Sequence, residues 1–138
     1  MREKVYSGRC FCGDIRFDVT GPVLYSAFCH CESCRRASGG AFVAWVTFDK
    51  QGLQWRSGTV MRHASSPGVT RGHCPRCGAS LTYEEADRAG QVDITLVSFE
   101  DPAQFRPLAH IWMEDRLTCI QLGDDLPRYA QGTGSEPA

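Results

Sequence analysis

The segment that decides the fold of this chain is Cys74-Pro75-Arg76-Cys77-Gly78. Proline restricts φ directly after the first cysteine, and glycine after the second permits the positive φ that turns the backbone around a metal ion. In such a turn, backbone N–H groups can point at the sulfurs and stabilise their negative charge. The pair therefore predicts one half of a tetrahedral thiolate site.

Two further cysteine clusters complete the pattern. They read Cys10-Phe11-Cys12-Gly13 and Cys29-His30-Cys31-Glu32-Ser33-Cys34, so that the three clusters together hold seven of the eight cysteines. One site with four cysteine ligands leaves three cysteines over. Three protein ligands with one open position are typical of a reactive zinc site rather than a purely structural one. We therefore expect two zinc ions per chain.

The spacing of the clusters leaves open which of them share an ion. In one arrangement, the Cys31 and Cys34 pair joins the pair at residues 74 and 77 in an ordinary zinc ribbon, and three cysteines stay unassigned. In the other arrangement, the triplet at residues 29–34 stays intact, because the four-cysteine site contains Cys10, Cys12, Cys74 and Cys77. Both arrangements satisfy tetrahedral coordination by sulfur.

The size and charge of the chain restrict the classes of protein to which it can belong. Its 138 residues, 42% of them hydrophobic, suit a single domain, which we place at residues 1–130. The last stretch, residues 131–138, is rich in Gly, Ser and Pro and is predicted to be a flexible tail. The formal charge of −1 becomes about −4 with both zinc sites loaded, since four thiolates add −2 and three add −1. This balance argues against nucleic-acid binding.

No targeting or membrane segment is recognisable in the sequence. A run of about 18 apolar residues is absent, and the first residues, MREKVYSGRC, lack the apolar region of a signal peptide. We therefore expect a cytoplasmic protein that contacts no membrane. Thiols stay reduced in the cytoplasm, so the clusters are predicted to be metal ligands rather than disulfides.

The distribution of apolar residues predicts a mostly β fold. Residues 14–20 alternate polar and apolar side chains, with Ile15, Phe17 and Val19 on the inward face. Further strands are predicted at residues 41–48, 53–56, 59–64, 92–98, 110–113 and 118–122. Helical signals are confined to short turns at residues 32–37 and 84–88.

Three side chains outside the clusters are candidates for substrate chemistry. Arg35 and Arg36 directly follow the cluster at residues 29–34, and their guanidinium groups could bind a substrate carboxylate. His110 is a candidate proton shuttle, with a purely structural histidine in a strand as the alternative interpretation. His30 stands between two candidate ligands, and we expect its side chain to point away from the metal.

The order of the motifs resembles the glutathione-dependent formaldehyde-activating enzyme family, which includes the centromere protein V-like domains. The resemblance rests on five segments that follow one another over nearly the whole chain. They are Gly8-Arg9-Cys10-Phe11-Cys12-Gly13, Cys29-His30-Cys31-Glu32-Ser33-Cys34-Arg35-Arg36-Ala37-Ser38-Gly39, Cys74-Pro75-Arg76-Cys77-Gly78-Ala79-Ser80-Leu81, Pro107-Leu108-Ala109-His110-Ile111-Trp112 and Asp124-Asp125-Leu126-Pro127-Arg128-Tyr129.

The resemblance implies a zinc-stabilised fold of several small, coiled antiparallel sheets. It implies a structural zinc bound by Cys10, Cys12, Cys74 and Cys77. It also implies a second zinc with a free position, bound by Cys29, Cys31 and Cys34. The implied activity is that of a carbon–sulfur lyase that joins a small thiol, glutathione, to an aldehyde, formaldehyde, and gives S-hydroxymethylglutathione. Because three thiolates donate much charge to zinc, capture of a substrate thiolate is favoured over activation of water.

Two other functions are compatible with the sequence. Methionine-R-sulfoxide reductases have a zinc-stabilised β fold of this general kind and use a late cysteine as nucleophile, a role that Cys119 would fill. The setting of Cys119 between Thr118 and Ile120 is apolar, however, and predicts a buried and inert thiol. The second alternative is a non-catalytic zinc module that binds a protein partner.

Overall fold

Ten β-strands and one short α-helix form the regular structure of the computed structural model, which describes residues 3–138. The helix α1 spans Glu32–Ser38. The strands are β1 (Val5–Arg9), β2 (Arg16–Thr20), β3 (Tyr25–Cys29), β4 (Val43–Asp49), β5 (Leu53–Ser57), β6 (Met61–Ser66), β7 (Val69–His73), β8 (Ser80–Glu85), β9 (Gln91–Thr95) and β10 (His110–Ile111). The predicted mostly β fold class is confirmed.

The strands belong to two sheets. The smaller sheet has three antiparallel strands in the order β1-β2-β5, and the larger has seven in the order β10-β3-β4-β9-β8-β7-β6. All neighbours in the larger sheet are antiparallel except β10, which runs parallel to β3. Parallel strands need a crossover connection, and β10 at the sheet edge is the one strand within residues 3–138 that pairs in parallel with another strand.

The main hydrophobic core lies between the two sheets. The alternation predicted for residues 14–20 is present, since Ile15, Phe17 and Val19 are 0–1% exposed. The latter two pack against one face of β4 and β9, whose contributions are Val46, Phe48, Val92 and Ile94. Because successive side chains of a strand point to opposite faces, the residues between these four point away from the core.

The opposite face of the larger sheet borders a cavity. Trp45 and Thr47 of β4, Asp93 of β9 and Tyr83 of β8 line a cavity on this face. Asp93 and Thr47 are nonetheless buried. Both faces of β4 and β9 are therefore covered, one by apolar packing and the other by the walls of the cavity.

One predicted strand is wrong. Residues 118–122 form no strand, although their apolar character predicts one. Strand β10, at this edge of the sheet, has only two residues, and Ile120 and Leu122 face a cavity rather than a neighbouring strand. An apolar segment forms a strand only where another strand offers its backbone groups.

The last residues are folded against the rest of the chain. The sequence predicts a flexible tail at residues 131–138. In the structure, the Trp112 N–H donates to the Gln131 carbonyl at 2.9 Å, and the Ala138 N–H donates to the Arg128 carbonyl at 2.9 Å. These hydrogen bonds place the segment beside β10, and the flexibility of residues 131–138 stays a prediction.

Of the helices within residues 3–138, none combines the length and the apolar character needed to cross a membrane.

Candidate metal centres and the adjoining cavity

The first candidate metal centre, the four-cysteine cluster, joins the two sheets. It consists of Cys10 and Cys12 in the turn between β1 and β2, and of Cys74 and Cys77 in the turn between β7 and β8. All four sulfurs lie within 4.8 Å of one another. Two turns that are more than 60 positions apart in sequence thus present their sulfurs to one point.

The two turns have the same backbone design. Gly13 and Gly78 take positive φ values of 81° and 77°, which glycine adopts without strain. Backbone N–H groups then donate to the sulfurs: Ile15 N–H to Cys10 Sγ at 3.3 Å, and the N–H groups of Arg76 and Cys77 to Cys74 Sγ at 3.4 Å. These donors stabilise thiolate charge, as the sequence predicts for the second turn.

The sulfur separations fit a bound zinc ion. Cys10 and Cys12 Sγ are 3.6 Å apart, and Cys12 and Cys74 Sγ are 3.8 Å apart. Four sulfurs placed about 2.3 Å from a central zinc are separated by about 3.8 Å. All eight cysteines have free thiols. The donor set and its spacing are therefore those of a tetrahedral thiolate site.

The second candidate metal centre, the three-cysteine cluster, lies where β3 passes into α1. Cys29 ends β3, Cys31 caps the N-terminus of α1, and Cys34 lies in its first turn. The cap is formed by sulfur, because the Cys34 N–H donates to Cys31 Sγ at 3.2 Å. The three sulfurs lie within 4.8 Å of one another.

Crowding of three sulfurs prevents all of them from ionising without a cation. Hydrogen bonds from the Cys29 and Cys31 thiols, reinforced by the positive charge of Arg71, lower the pKa of Cys34 well below its ordinary value. Hydrogen bonding to Cys31 and Cys34 raises the pKa of Cys29 far above its ordinary value. One thiolate is thus favoured at the expense of the others, and a divalent cation would be needed to balance three.

The three-cysteine cluster has no fourth protein ligand within the described residues. It instead opens onto a cavity with a volume of about 560 Å³, the main cavity. The walls of this cavity contain all three cysteines, the rings of Trp45, Tyr83 and Trp112, and the charged side chains of Arg71, Glu85, Arg88, Asp93 and Asp115. A metal bound here would face a space large enough for a substrate.

Arg71 connects the cluster to the cavity wall. Both terminal nitrogens of its guanidinium lie 3.7 Å from Cys34 Sγ. The guanidinium also stacks over the ring of Tyr83, 4.9 Å from the ring centroid, and Arg71 Nε donates to Ser65 Oγ. It forms no ion pair with a carboxylate of residues 3–138. Arg71 is therefore the cation available to a ligand in this cavity.

Arg88, by contrast, is saturated by protein carboxylates. Its Nε donates to Glu85 at 2.6 Å and a terminal nitrogen donates to Asp93 at 2.6 Å. Asp93 also accepts from the Thr47 hydroxyl at 2.6 Å, and Glu85 accepts from the Tyr83 hydroxyl at 3.0 Å. The hydrogen bonds that Arg88 donates to Asp93 and Glu85 raise its pKa, so its charge is permanent.

The sequence pattern does not predict this charged network. Arg71 lies on β7 and Glu85 on β8, two strands that the sequence pattern does not predict. One signal was available: Asp93 stands between Val92 and Ile94 in a strand of apolar residues. A carboxylate at that position requires a polar site on the second face of the strand.

The two arginines proposed from sequence lie outside the lining of the main cavity. Arg35 donates to the backbone carbonyls of His30 and Asp115, at 3.4 and 3.0 Å, and so fastens α1 to the segment after β10. Arg36 is exposed and pairs with Glu32 at 3.0 Å along the same helix face. The structure thus gives both guanidinium groups protein partners, and Arg71 takes the position beside the cysteines.

His110, the predicted proton shuttle, also lies outside the main cavity. It is 1% exposed and stacks on Phe28. Its Nε2 is 2.9 Å from the Asp124 carboxylate, and its Nδ1 is 2.9 Å from Nε2 of His30. Burial, followed by the charges of His110 and nearby arginines, lowers the pKa of His30 to about 4. Both ring nitrogens of His110 thus contact protein groups, and a role as proton shuttle stays a prediction.

Cys119 differs from its predicted environment. The sequence predicts a buried thiol, whereas the structure leaves it exposed in the irregular segment at residues 116–128. The reason is the missing strand at residues 118–122, since Thr118 and Ile120 face a cavity and Cys119 points outward between them. It lines neither this cavity nor the main one.

The backbone at Trp112 is held in an unusual conformation. Its φ of 58° is the one positive value at a non-glycine residue among residues 3–138. Such a conformation costs on the order of 1–3 kcal/mol and persists where surrounding contacts impose it. Here the backbone N–H of Trp112 donates to the Gln131 carbonyl at 2.9 Å, and the ring forms part of the main cavity wall.

Comparison with known proteins agrees with this geometry. A sequence model of the family described as glutathione-dependent formaldehyde-activating enzyme matches residues 5–115. The matched region contains all seven clustered cysteines, Arg71 and the charged network of the main cavity.

Individual relatives are distant. The chain is 25% identical over 119 residues to an uncharacterised lyase of Schizosaccharomyces pombe, an alignment that covers 86% of each protein. Among solved structures, the crystal structure of a Rhodobacter sphaeroides protein superimposes with a TM-score of 0.58, at 19% identity, over 68% of this chain and 87% of that one. At this identity the structural likeness establishes the fold alone.

Proposed function

Because this chain belongs to the glutathione-dependent formaldehyde-activating enzyme family, we propose that it forms and cleaves the carbon–sulfur bond of a thiol–aldehyde adduct such as S-hydroxymethylglutathione. The similarity to a protein named as a lyase supports an activity of the lyase type. The observation that carries the proposal is the three-cysteine cluster, which lacks a fourth protein ligand in the described chain and faces the main cavity.

The two clusters are proposed to hold two zinc ions with different roles. Zinc in the four-cysteine cluster would be fully coordinated by protein and would hold the two sheets together. Zinc bound by Cys29, Cys31 and Cys34 would supply a Lewis-acid position that keeps a substrate thiol in its thiolate form. In the addition, the thiol sulfur bonds to the aldehyde carbon and the thiol proton ends on the aldehyde oxygen.

The residues of the main cavity are suited to bind a thiol that carries both carboxylates and an ammonium group. Arg71 can bind a carboxylate through a forked pair of N–H donors beside Cys34. Asp115 supplies a negative charge on the cavity wall for an ammonium group. The rings of Trp45 and Trp112 exclude water, which strengthens both contacts.

The substitution Cys31→Ser tests the assignment. We expect the variant to lose one of two metal ions per chain and to exchange glutathione with S-hydroxymethylglutathione at the uncatalysed rate, because the remaining two sulfurs cannot hold the ion. The measurement is two-dimensional exchange NMR on equilibrated glutathione and formaldehyde, combined with metal analysis. Exchange NMR is chosen because the adduct also forms without catalyst.

Cys119→Ser is the matched control, since its thiol is exposed and lies outside both clusters. It should keep both metal ions and full activity. Wild-type exchange in Cys31→Ser with one ion lost would overturn the assignment. Two bound metal ions and no rate above background in the wild type would instead support a non-catalytic zinc module.

A further inference from the structure

A second cavity lies on the other side of the cysteine segment. Cys29 and Cys31 point into the main cavity, whereas His30 between them lines a separate cavity of about 300 Å³, the rear cavity. The same division occurs at Trp112, which lines the main cavity, and Met113, which lines the rear one. The two cavities are thus separated by two backbone segments and are distinct sites.

The walls of the rear cavity are basic. Arg116 and Arg128 both contribute to the lining, and no aspartate or glutamate does. Each guanidinium is oriented by a backbone carbonyl: Arg116 donates to Met113 at 3.1 Å, and Arg128 donates to Leu122 at 3.3 Å. Neither forms an ion pair within 4.0 Å with a carboxylate of residues 3–138. Their remaining N–H donors are available to an anion.

The rear cavity also contains a polar atom without a protein partner. His30 Nε2 is engaged by His110 Nδ1 at 2.9 Å. The other ring nitrogen of His30, Nδ1, has no hydrogen-bond partner among residues 3–138, although the residue is only 3% exposed. Because this nitrogen is not sealed from solvent and the ring lines the rear cavity, Nδ1 is available to a ligand there.

From these groups we propose that the rear cavity binds a small hydroxycarboxylate. Its carboxylate would lie between Arg116 and Arg128, and its hydroxyl, which can donate or accept, would form a hydrogen bond with Nδ1 of His30. The volume of the cavity is at the lower end of the range for ligand sites, which suits a molecule of a few carbon atoms. The proposal does not depend on the reaction in the main cavity.

The test is a titration of the metal-loaded, ¹⁵N-labelled protein with L-malate, succinate and inorganic phosphate at constant ionic strength. L-Malate should shift the amide signals of His30 and of residues 116–122. Succinate lacks the hydroxyl and should bind about fivefold more weakly, which is the effect of one neutral hydrogen bond. Phosphate should bind more weakly than L-malate.

Arg116→Gln and Arg128→Gln should each weaken L-malate binding about tenfold or more, because each removes a charge-assisted hydrogen bond. Arg36→Gln is the matched control, since Arg36 is exposed on α1 and pairs with Glu32; it should bind L-malate as the wild type does. Arg116 is itself exposed, so its substitution tests the site even if the Arg128 variant fails to fold.

Three results would overturn the proposal. They are unchanged L-malate affinity in Arg116→Gln, equal affinity for succinate and L-malate, and tighter binding of phosphate than of L-malate. Signal shifts confined to the main cavity would overturn it as well, since they would place the anion beside Arg71.

Discussion

The contact between Arg71 and Cys34 places a positive charge beside the three-cysteine cluster. A guanidinium that lies 3.7 Å from the sulfur withdraws charge from it, and the same group is held in place over the ring of Tyr83. A thiolate that accepts a hydrogen bond donates less negative charge to a bound cation. Arg71 therefore polarises the three-cysteine cluster and is also available to a ligand in the main cavity.

Substitution of Arg71 by Met should reduce kcat/KM for glutathione about 10- to 100-fold, the usual cost of losing a partner of a metal ligand. It should also raise the pKa of the Cys34 thiol, because a stabilising positive charge is lost. Competition between protons and Cd²⁺, followed through the sulfur–metal absorption band, reports this change without an activity assay.

Arg62→Met is a suitable control, since Arg62 lies on β6 and pairs with Glu84 outside the main cavity. Equal effects of the two substitutions on kcat/KM would contradict a specific role for Arg71.

At the scale of the element, the helix α1 is short and depends on its two ends. Its first end is closed by Cys31, whose sulfur accepts from the Cys34 N–H, and its second end is closed by Gly39. Gly39 has a φ of 77°, and its N–H donates to the Arg35 carbonyl at 2.8 Å. A seven-residue helix has little stability of its own, so these caps keep Cys34 in position.

Gly39→Ala should therefore lower the free energy of unfolding by about 1 kcal/mol, because alanine is strained at positive φ. Space is not the cause, since a Cβ at this position would meet no atom within 4 Å. Urea denaturation measures the change. Gly123→Ala is the matched control: a Cβ would also meet nothing there, but φ is not positive. Equal loss of stability in both variants would refute the cap.

At the scale of the whole molecule, the four-cysteine cluster connects the two sheets. The turn after β1 belongs to the smaller sheet and the turn after β7 to the larger. Cys10 and Cys74 are 2% and 0% exposed and pack with Ile15 and Leu81 in a second small core. A bound metal would therefore be part of the packing between the sheets.

Cys74→Ser should be far more destabilising than Cys31→Ser. Structural zinc contributes about 10–16 kcal/mol in small zinc domains, which equals or exceeds the total stability of a typical domain, about 5–15 kcal/mol. We expect the circular dichroism spectrum of Cys74→Ser to be that of an unfolded chain, whereas Cys31→Ser should show a cooperative thermal transition. Similar melting temperatures for the two variants would show that the four-cysteine cluster is not the architectural one.

Local patterns in the sequence were sufficient to predict several features of the structure. Alternation at residues 14–20 identifies the inward face of β2, because the two-residue period of a strand is fixed by its covalent geometry. The Cys-Pro-x-Cys-Gly segment identifies its own turn, since proline and glycine restrict the backbone locally. The short helix at residues 32–37 agrees with α1 to within one residue.

Other features required the folded chain. The sequence could not place Arg71, because β7 contributes to the site only through its pairing with β8 across a turn of cysteines. Nor could it exclude a strand at residues 118–122, since a strand requires a neighbour with free backbone groups. His110 contacts His30 on one side and Asp124 on the other only because β10 pairs in parallel with β3.

The sequence by itself determined that this protein contains paired cysteines in turns suited to a metal ion, and that its strands have one apolar face. These properties depend on residues a few positions apart, and local backbone geometry decides them. Only the tertiary structure decided which turns share a site, which arginine stands beside the open cluster, and that His30 faces a second cavity. Those properties depend on contacts between residues far apart in the chain, and strand order and register set them.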